Sequence, residues 1–192
     1  MTNEIVMDIE TTNSFAEVGK YDPSLLNVSL VGVYFYATDT YESFLEPELP
    51  KLWRLLEGAD RIIGYNLIGF DYKVLNRYYP GDLLKLPTLD VMYEIEHQIG
   101  FRVKIDDVAQ ATLGVGKSGN GLMAIEYFRR GELDKLREYC LMDVKVTKEV
   151  YEHGLKNNFV NYKDRLGNLK KAEVNFAVKE QAKQPLSLTL PL

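Results

Sequence analysis

One cysteine, two histidines and one tryptophan in 192 residues leave little material for thiol or soft-metal chemistry. The lone Cys140 excludes both an intramolecular disulfide framework and a CxxC zinc site. His97 and His153 stand far apart in the chain, so a histidine metal site and a Ser-His-Asp triad have no support, and both read as structural or surface residues. Long hydrophobic runs are missing as well. Residues 30–37 form an apolar stretch of about eight, against the roughly 20 needed to cross a bilayer. The opening MTNEIVMDIE has neither a basic leader nor an apolar segment, so no secretory signal is expected and a reducing, cytoplasmic setting is the default.

What remains is the composition of a globular protein, 46% hydrophobic and 27% charged, long enough for a single core. The net charge of -5 argues against a polyanionic partner until its distribution is considered. Residues 155–192 hold seven Lys or Arg against three acids, a local balance of +4, which leaves residues 1–154 at -9. Bound divalent cations would cancel part of that acidity. The chain therefore divides into an acidic domain, 1–154, and a basic C-terminal extension, 155–192, with the pattern of a hairpin over 155–174 followed by a proline-marked tail.

Along the domain, residues 5–9, 27–37 and 41–45 read as strands, rich in β-branched and aromatic residues. Residues 47–57 read as a helix, 61–65 as a buried strand, and 69–79 as a helix stopped by Pro80. Helices are expected at 89–99, 105–113 and 122–130, with 114–121 a glycine-rich loop. The strongest period is 133–153, where Leu133, Leu136, Cys140, Val144, Thr147 and Tyr151 recur at steps of three and four and Gly154 offers a stop. Three strands, then helices mixed with further strands, predict an α/β domain with a mixed sheet flanked by helices.

The chemistry lies in carboxylates. Asp8 and Glu10 are two apart on a strand, so their side chains share a face. On an exposed edge that is a solvated pair; amid Ile5, Val6, Met7 and Ile9 it belongs to a central strand, where unpartnered carboxylates are costly and a cation relieves them. Asp143 follows Tyr139 by four residues on the strong helix, placing both on one side. Asp71 stands where a strand gives way to a helix. Taken alone, Asp71 and Asp143 also fit ordinary surface acids. Residues 111–118 approach the G-x-x-x-x-G-K-[ST] phosphate loop, but Ala111 replaces the first glycine and the preceding stretch has helical rather than strand character.

As an ordered set, Asp8-Ile-Glu10-Thr11-Thr12, Asn66 through Phe70-Asp71, and Tyr139-Cys-Leu-Met-Asp143 resemble the three motifs of DEDDy-type 3'-5' exonucleases, the DnaQ-like, RNase H-like group that includes family B DNA polymerase proofreading domains and stand-alone exonucleases. The resemblance covers residues 3–150. It implies an RNase H-like fold and a nuclease acting on the 3' end of single-stranded or frayed nucleic acid, with DNA favoured. Asp8, Glu10, Asp71 and Asp143 would hold two divalent cations, Mg²⁺ or Mn²⁺, because hard oxygen ligands suit these ions. Tyr139 would orient the attacking water, since a tyrosine hydroxyl titrates near 10. Thr11, Asn66, Phe70 and Lys117 are candidate substrate contacts, and Phe15, Tyr65 and Phe70 candidate stacking partners for the terminal base. The alternatives from other classes are a non-catalytic nucleic-acid or protein binding module, or an endonuclease or RNA-trimming enzyme.

Overall fold

The computed structural model describes residues 3–116 and 121–177. Seven strands and seven α-helices occur among them: β1 Glu4–Thr11, α1 Phe15–Val18, β2 Val28–Phe35, β3 Thr40–Leu45, α2 Leu49–Glu57, β4 Arg61–Gly64, α3 Tyr72–Leu75, β5 Thr88–Asp90, α4 Val91–Ile99, α5 Ile105–Leu113, α6 Gly121–Arg129, α7 Leu133–Asn157, β6 Phe159–Lys163 and β7 Leu169–Glu173. Short 3₁₀ turns and one π-helical turn, Leu67–Asp71, fill the joints. No helix among the described residues is long and apolar enough to cross a membrane.

Five strands form one mixed sheet in the order β3-β2-β1-β4-β5. β1 pairs antiparallel with β2 and parallel with β4, so the strand bearing Asp8 and Glu10 is central, as its apolar neighbours require. The period of two sorts its side chains. Ile5, Met7 and Ile9 pack with Leu49, Leu52, Trp53 and Leu56 of α2 on one face, and Val6 packs with Val108 of α5 and Val144 of α7 on the other. Helices on both faces of a mixed sheet give the expected RNase H-like α/β architecture. The hairpin β6–β7 is present, and its Val160 and Ala172, with Val174 and Phe176 beyond it, join the core on the α7 side.

Three local expectations are corrected. The span 69–79 is a π turn followed by the four-residue α3, because Asn66 enters in the left-handed region at φ 68° and reorients the chain. The span 89–99 is not all helix: Thr88–Asp90 forms an edge strand, and Asp90 caps α4 by accepting the Tyr93 N–H at 3.3 Å. Gly154 does not stop α7, which runs on to Asn157 and ends at Asn158, left-handed at φ 62°. Instead, Gly154 leaves room for the ring of Phe176, which a Cβ at that position would strike.

At the end of the sheet away from Asp8 and Glu10 lies a buried ion pair. Arg61 donates from Nε to Glu4 Oε1 at 2.8 Å, from Nη1 to the Phe176 carbonyl at 2.8 Å and from Nη2 to the Tyr151 hydroxyl at 2.7 Å. The Tyr151 hydroxyl in turn donates to Glu4 Oε2 at 3.0 Å. This network joins β1, β4, α7 and the segment after β7. Removing one partner of such a pair strands a buried charge and costs about 3–5 kcal/mol, whereas an apolar replacement of both is close to neutral. We therefore expect Glu4→Gln to lower stability by about 3 kcal/mol or more, and Glu4→Leu combined with Arg61→Met to recover most of the loss. Urea unfolding followed by circular dichroism checks this, and equal losses in the single and double variants would contradict it.

Candidate functional site

The site begins with the approach of α7 to the sheet. Gly32 lies opposite Asp8 in the β1–β2 register. A Cβ at Gly32 would stand 2.8 Å from Cys140 Sγ and 3.1 Å from Val144 Cγ2, so the absence of a side chain is what lets α7 come this close. Cys140 donates its S–H to the Asp8 carbonyl at 3.7 Å. One helical turn of α7 is thereby pressed onto the motif strand, and Tyr139 and Asp143 are carried to it. A register shift between Glu10 and Thr11 bends the end of β1 at the same place.

A cavity of about 350 Å³ opens there, lined by Asp8, Glu10, Thr11, Tyr139 and Asp143, with Phe15 and Phe70 among its apolar walls. On its far side α6 contributes Leu122 and Ile125. That helix is clipped down by Arg129, which donates to the Thr12 carbonyl at 3.2 Å and pairs with Glu17. The Thr11 hydroxyl donates to the Asn13 carbonyl at 2.9 Å, holding the chain as it leaves β1. Phe15 meets Phe70 edge to face at 6.2 Å and Tyr21 in a tilted contact at 4.2 Å, so an aromatic wall flanks the acids.

Asp71 is 2% exposed, at the end of the π turn. Burial pushes its carboxyl well above the usual carboxylate range, and the nearby Asp8 carboxylate pushes it further, with Asp90 and Glu10 adding smaller amounts. Ligand atoms of Asp8, Glu10 and Cys140 lie within 4.8 Å of one another. Burial, and then Asp8, Glu10 and Asp143, raise the Cys140 thiol well above its ordinary value. It therefore stays protonated, and the donors with a charge to offer are carboxylate oxygens, a set suited to hard divalent cations.

Asp90 was not anticipated. Besides capping α4, its carboxylate accepts the N–H of Asn66 at 2.8 Å and of Ile68 at 3.0 Å, fixing the turn that ends in Asp71. An aspartate just before an apolar helical period is a capping signal, hidden here because residues 89–99 resemble one continuous helix. Gly32 was also passed over, although a lone glycine inside a strand pattern signals close backbone approach. Asn66 does not line the cavity; its contribution is the left-handed backbone. Tyr65 is directed elsewhere, donating its hydroxyl to the Val103 carbonyl at 2.6 Å. Lys117 lies outside the described residues.

Two outcomes follow. The raised Asp71 carboxyl binds its proton more tightly folded than unfolded, so stability in chelator falls as pH rises above about 4, where the unfolded carboxyl ionises. Asp71→Asn should then raise the thermal midpoint at neutral pH by about 2–4 °C for each kcal/mol relieved, with the gain vanishing below about pH 4. Gly32→Val should lower stability by about 1–3 kcal/mol through overpacking against Cys140. Calorimetry across pH reads both, and an unchanged midpoint in either variant would refute the corresponding account.

Comparison with known proteins agrees with this architecture. The family model of the RNase_H superfamily matches residues 5–154. No curated protein matches the chain. Among solved structures, the family B DNA polymerase from the hyperthermophilic archaeon Pyrobaculum calidifontis superposes with a TM-score of 0.61 at 21% identity, over 81% of this chain and 25% of the polymerase. The chain thus spans about a quarter of that protein's length and shares its fold over that part. With a central β1 in a five-stranded mixed sheet, helices on both faces and the family's sequence pattern running from Ile5 to Gly154, this chain belongs to the RNase_H superfamily.

Proposed function

We propose that this chain is a metal-dependent 3'-5' exonuclease of the DEDDy type, hydrolysing phosphodiester bonds at the 3' end of single-stranded nucleic acid, with DNA favoured. The observation that carries the reading is the meeting of three sequence segments in one place. The Asp8–Glu10 strand end, Phe70 and the Tyr139–Asp143 turn of α7 line one cavity with an aromatic wall, and the buried Asp71, next in sequence to Phe70, feels the Asp8 carboxylate. In this reading Asp8, Glu10, Asp71 and Asp143 hold two divalent cations, Mg²⁺ or Mn²⁺. Ions held there would supply Lewis-acid chemistry to a phosphodiester.

The remaining work falls to the chain. Tyr139, on the cavity wall one turn before Asp143, orients the attacking water through its hydroxyl. Phe15 and Phe70 offer faces for the terminal base, a contact worth about 1–3 kcal/mol and indifferent to sequence. Thr11 lines the cavity with its hydroxyl tied to the Asn13 carbonyl, and acts by shaping its wall. Residues 1–154 hold this chemistry, and the basic extension 155–192 accompanies it in a cytoplasmic enzyme.

The test uses end-labelled oligonucleotides of DNA and RNA, with either end blocked, in Mg²⁺ or Mn²⁺. Stepwise loss from the 3' end is expected. Tyr139→Phe should lower kcat by about 10²-fold, and Asp8→Ala by more, without loss of the folded state. An Asp8→Ala protein that degrades the strand as fast as wild type would refute the assignment.

A further inference from the structure

A second hollow, about 350 Å³, lies where residues 101–104 meet the turn end of the β6–β7 hairpin. Phe101-Arg102-Val103-Lys104 and Tyr162-Lys163-Asp164-Arg165 each place an aromatic ring before two cations, with apolar Val103 between the cations of the first and acidic Asp164 between those of the second. The fold sets them side by side: the Phe101 and Tyr162 rings meet edge to face at 5.8 Å, and the Arg165 guanidinium stands 5.8 Å from the Phe101 ring centre. Val103 is buried while Arg102, Lys104, Lys163 and Arg165 are exposed, so four cations face solvent over an aromatic floor.

The neighbouring acids offset this charge only in part. Asp164 is turned into the hairpin, where its carboxylate accepts the N–H groups of Leu166 and Asn168 at 2.9 Å each and the Asn168 side chain at 3.2 Å. Glu96 takes the Nε edge of Arg102 at 3.0 Å, and Asp107 stands at the rim. Among the described residues, Lys104, Lys163 and Arg165 form no ion pair. In a chain of net charge -5, such a concentration over aromatic rings has the composition of a surface that follows a phosphate backbone.

Its position fits the proposed chemistry. α5 starts just after Lys104 and extends about 13 Å, at 1.5 Å per residue, toward Val115 and Gly116, which share a hollow with Asp143. The patch therefore lies about one helix length from the hollow that Asp143 lines. We propose that this hollow is a distal phosphate-binding site for single-stranded nucleic acid, gripping the strand a few nucleotides upstream of the 3' end. Its place on the substrate path rests on the exonuclease reading; its binding of a strand does not.

The experiment compares Lys163→Glu/Arg165→Glu with Lys51→Glu/Lys85→Glu, a pair of equal charge change at exposed positions away from the hollow. Binding of a labelled single strand of about 15 nucleotides is read by fluorescence anisotropy in chelator, across a salt series. The first pair should weaken binding about tenfold or more and flatten the slope of log K against log salt by about 1.4, while the second leaves both within about twofold. In Mg²⁺, the first pair should raise KM on the strand and leave hydrolysis of thymidine 5'-(p-nitrophenyl) phosphate, too short to reach the hollow, unchanged. Equal effects from the two pairs, or no strand binding by the wild type, would overturn the proposal. Patch-dependent binding without any hydrolysis would uphold it while removing the exonuclease reading.

Discussion

Carboxylates drawn close to one another out of water repel, and this repulsion is the constraint around which the fold is arranged. Asp8 and Glu10 end a central strand, Asp71 is buried beside them, and Asp143 is delivered by a helix from the far end of the sequence. Holding them there needs rigid support from several directions. Gly32 permits the approach of α7, Cys140 bonds to the motif strand, and Asp90 pins the turn beneath Asp71. Burial first, and then the Asp8 carboxylate, push the Asp71 carboxyl upward, and hydrophobic packing on both sheet faces surrounds the site.

The central strand also has an acid near its other end, treated in a contrasting way. Glu4 is met inside the protein by Arg61 and Tyr151. The same residue type therefore serves as a structural pin at one end of β1 and as a candidate ligand at the other. What separates the roles is the neighbour: an arginine on the adjacent strand β4 for Glu4, further carboxylates for Asp8 and Glu10.

Much of this was legible in the chain. The strands β1 to β3 and the long α7 follow from apolar runs and a helical period, while the candidate acids were singled out as a set by their resemblance to a known series of motifs. The losses have physical reasons. A three-residue edge strand, Thr88–Asp90, carries too little alternation to be told from the first turn of the helix it precedes. The π turn is fixed by N–H groups of Asn66 and Ile68 that donate to the Asp90 carboxylate, 24 and 22 positions away in sequence. Gly154 had the composition of a helix stop, but its lack of a side chain serves the packing of Phe176. The facing segments at 101–104 and 162–165 are each unremarkable in sequence, and only the packing of the hairpin on α5 makes them one surface.

The bond from Arg61 to the Phe176 carbonyl also bears on the order in which the molecule can assemble. During translation β1 can pair with β2 early, yet the guanidinium that neutralises Glu4 lacks its full complement of acceptors until the polypeptide has grown beyond residue 176. α7 likewise emerges after the whole sheet. These are contacts between residues far apart in sequence, the kind of long-range closure that makes folding slow. The cavity lining, which ends at Asp143, is synthesised before that closing contact.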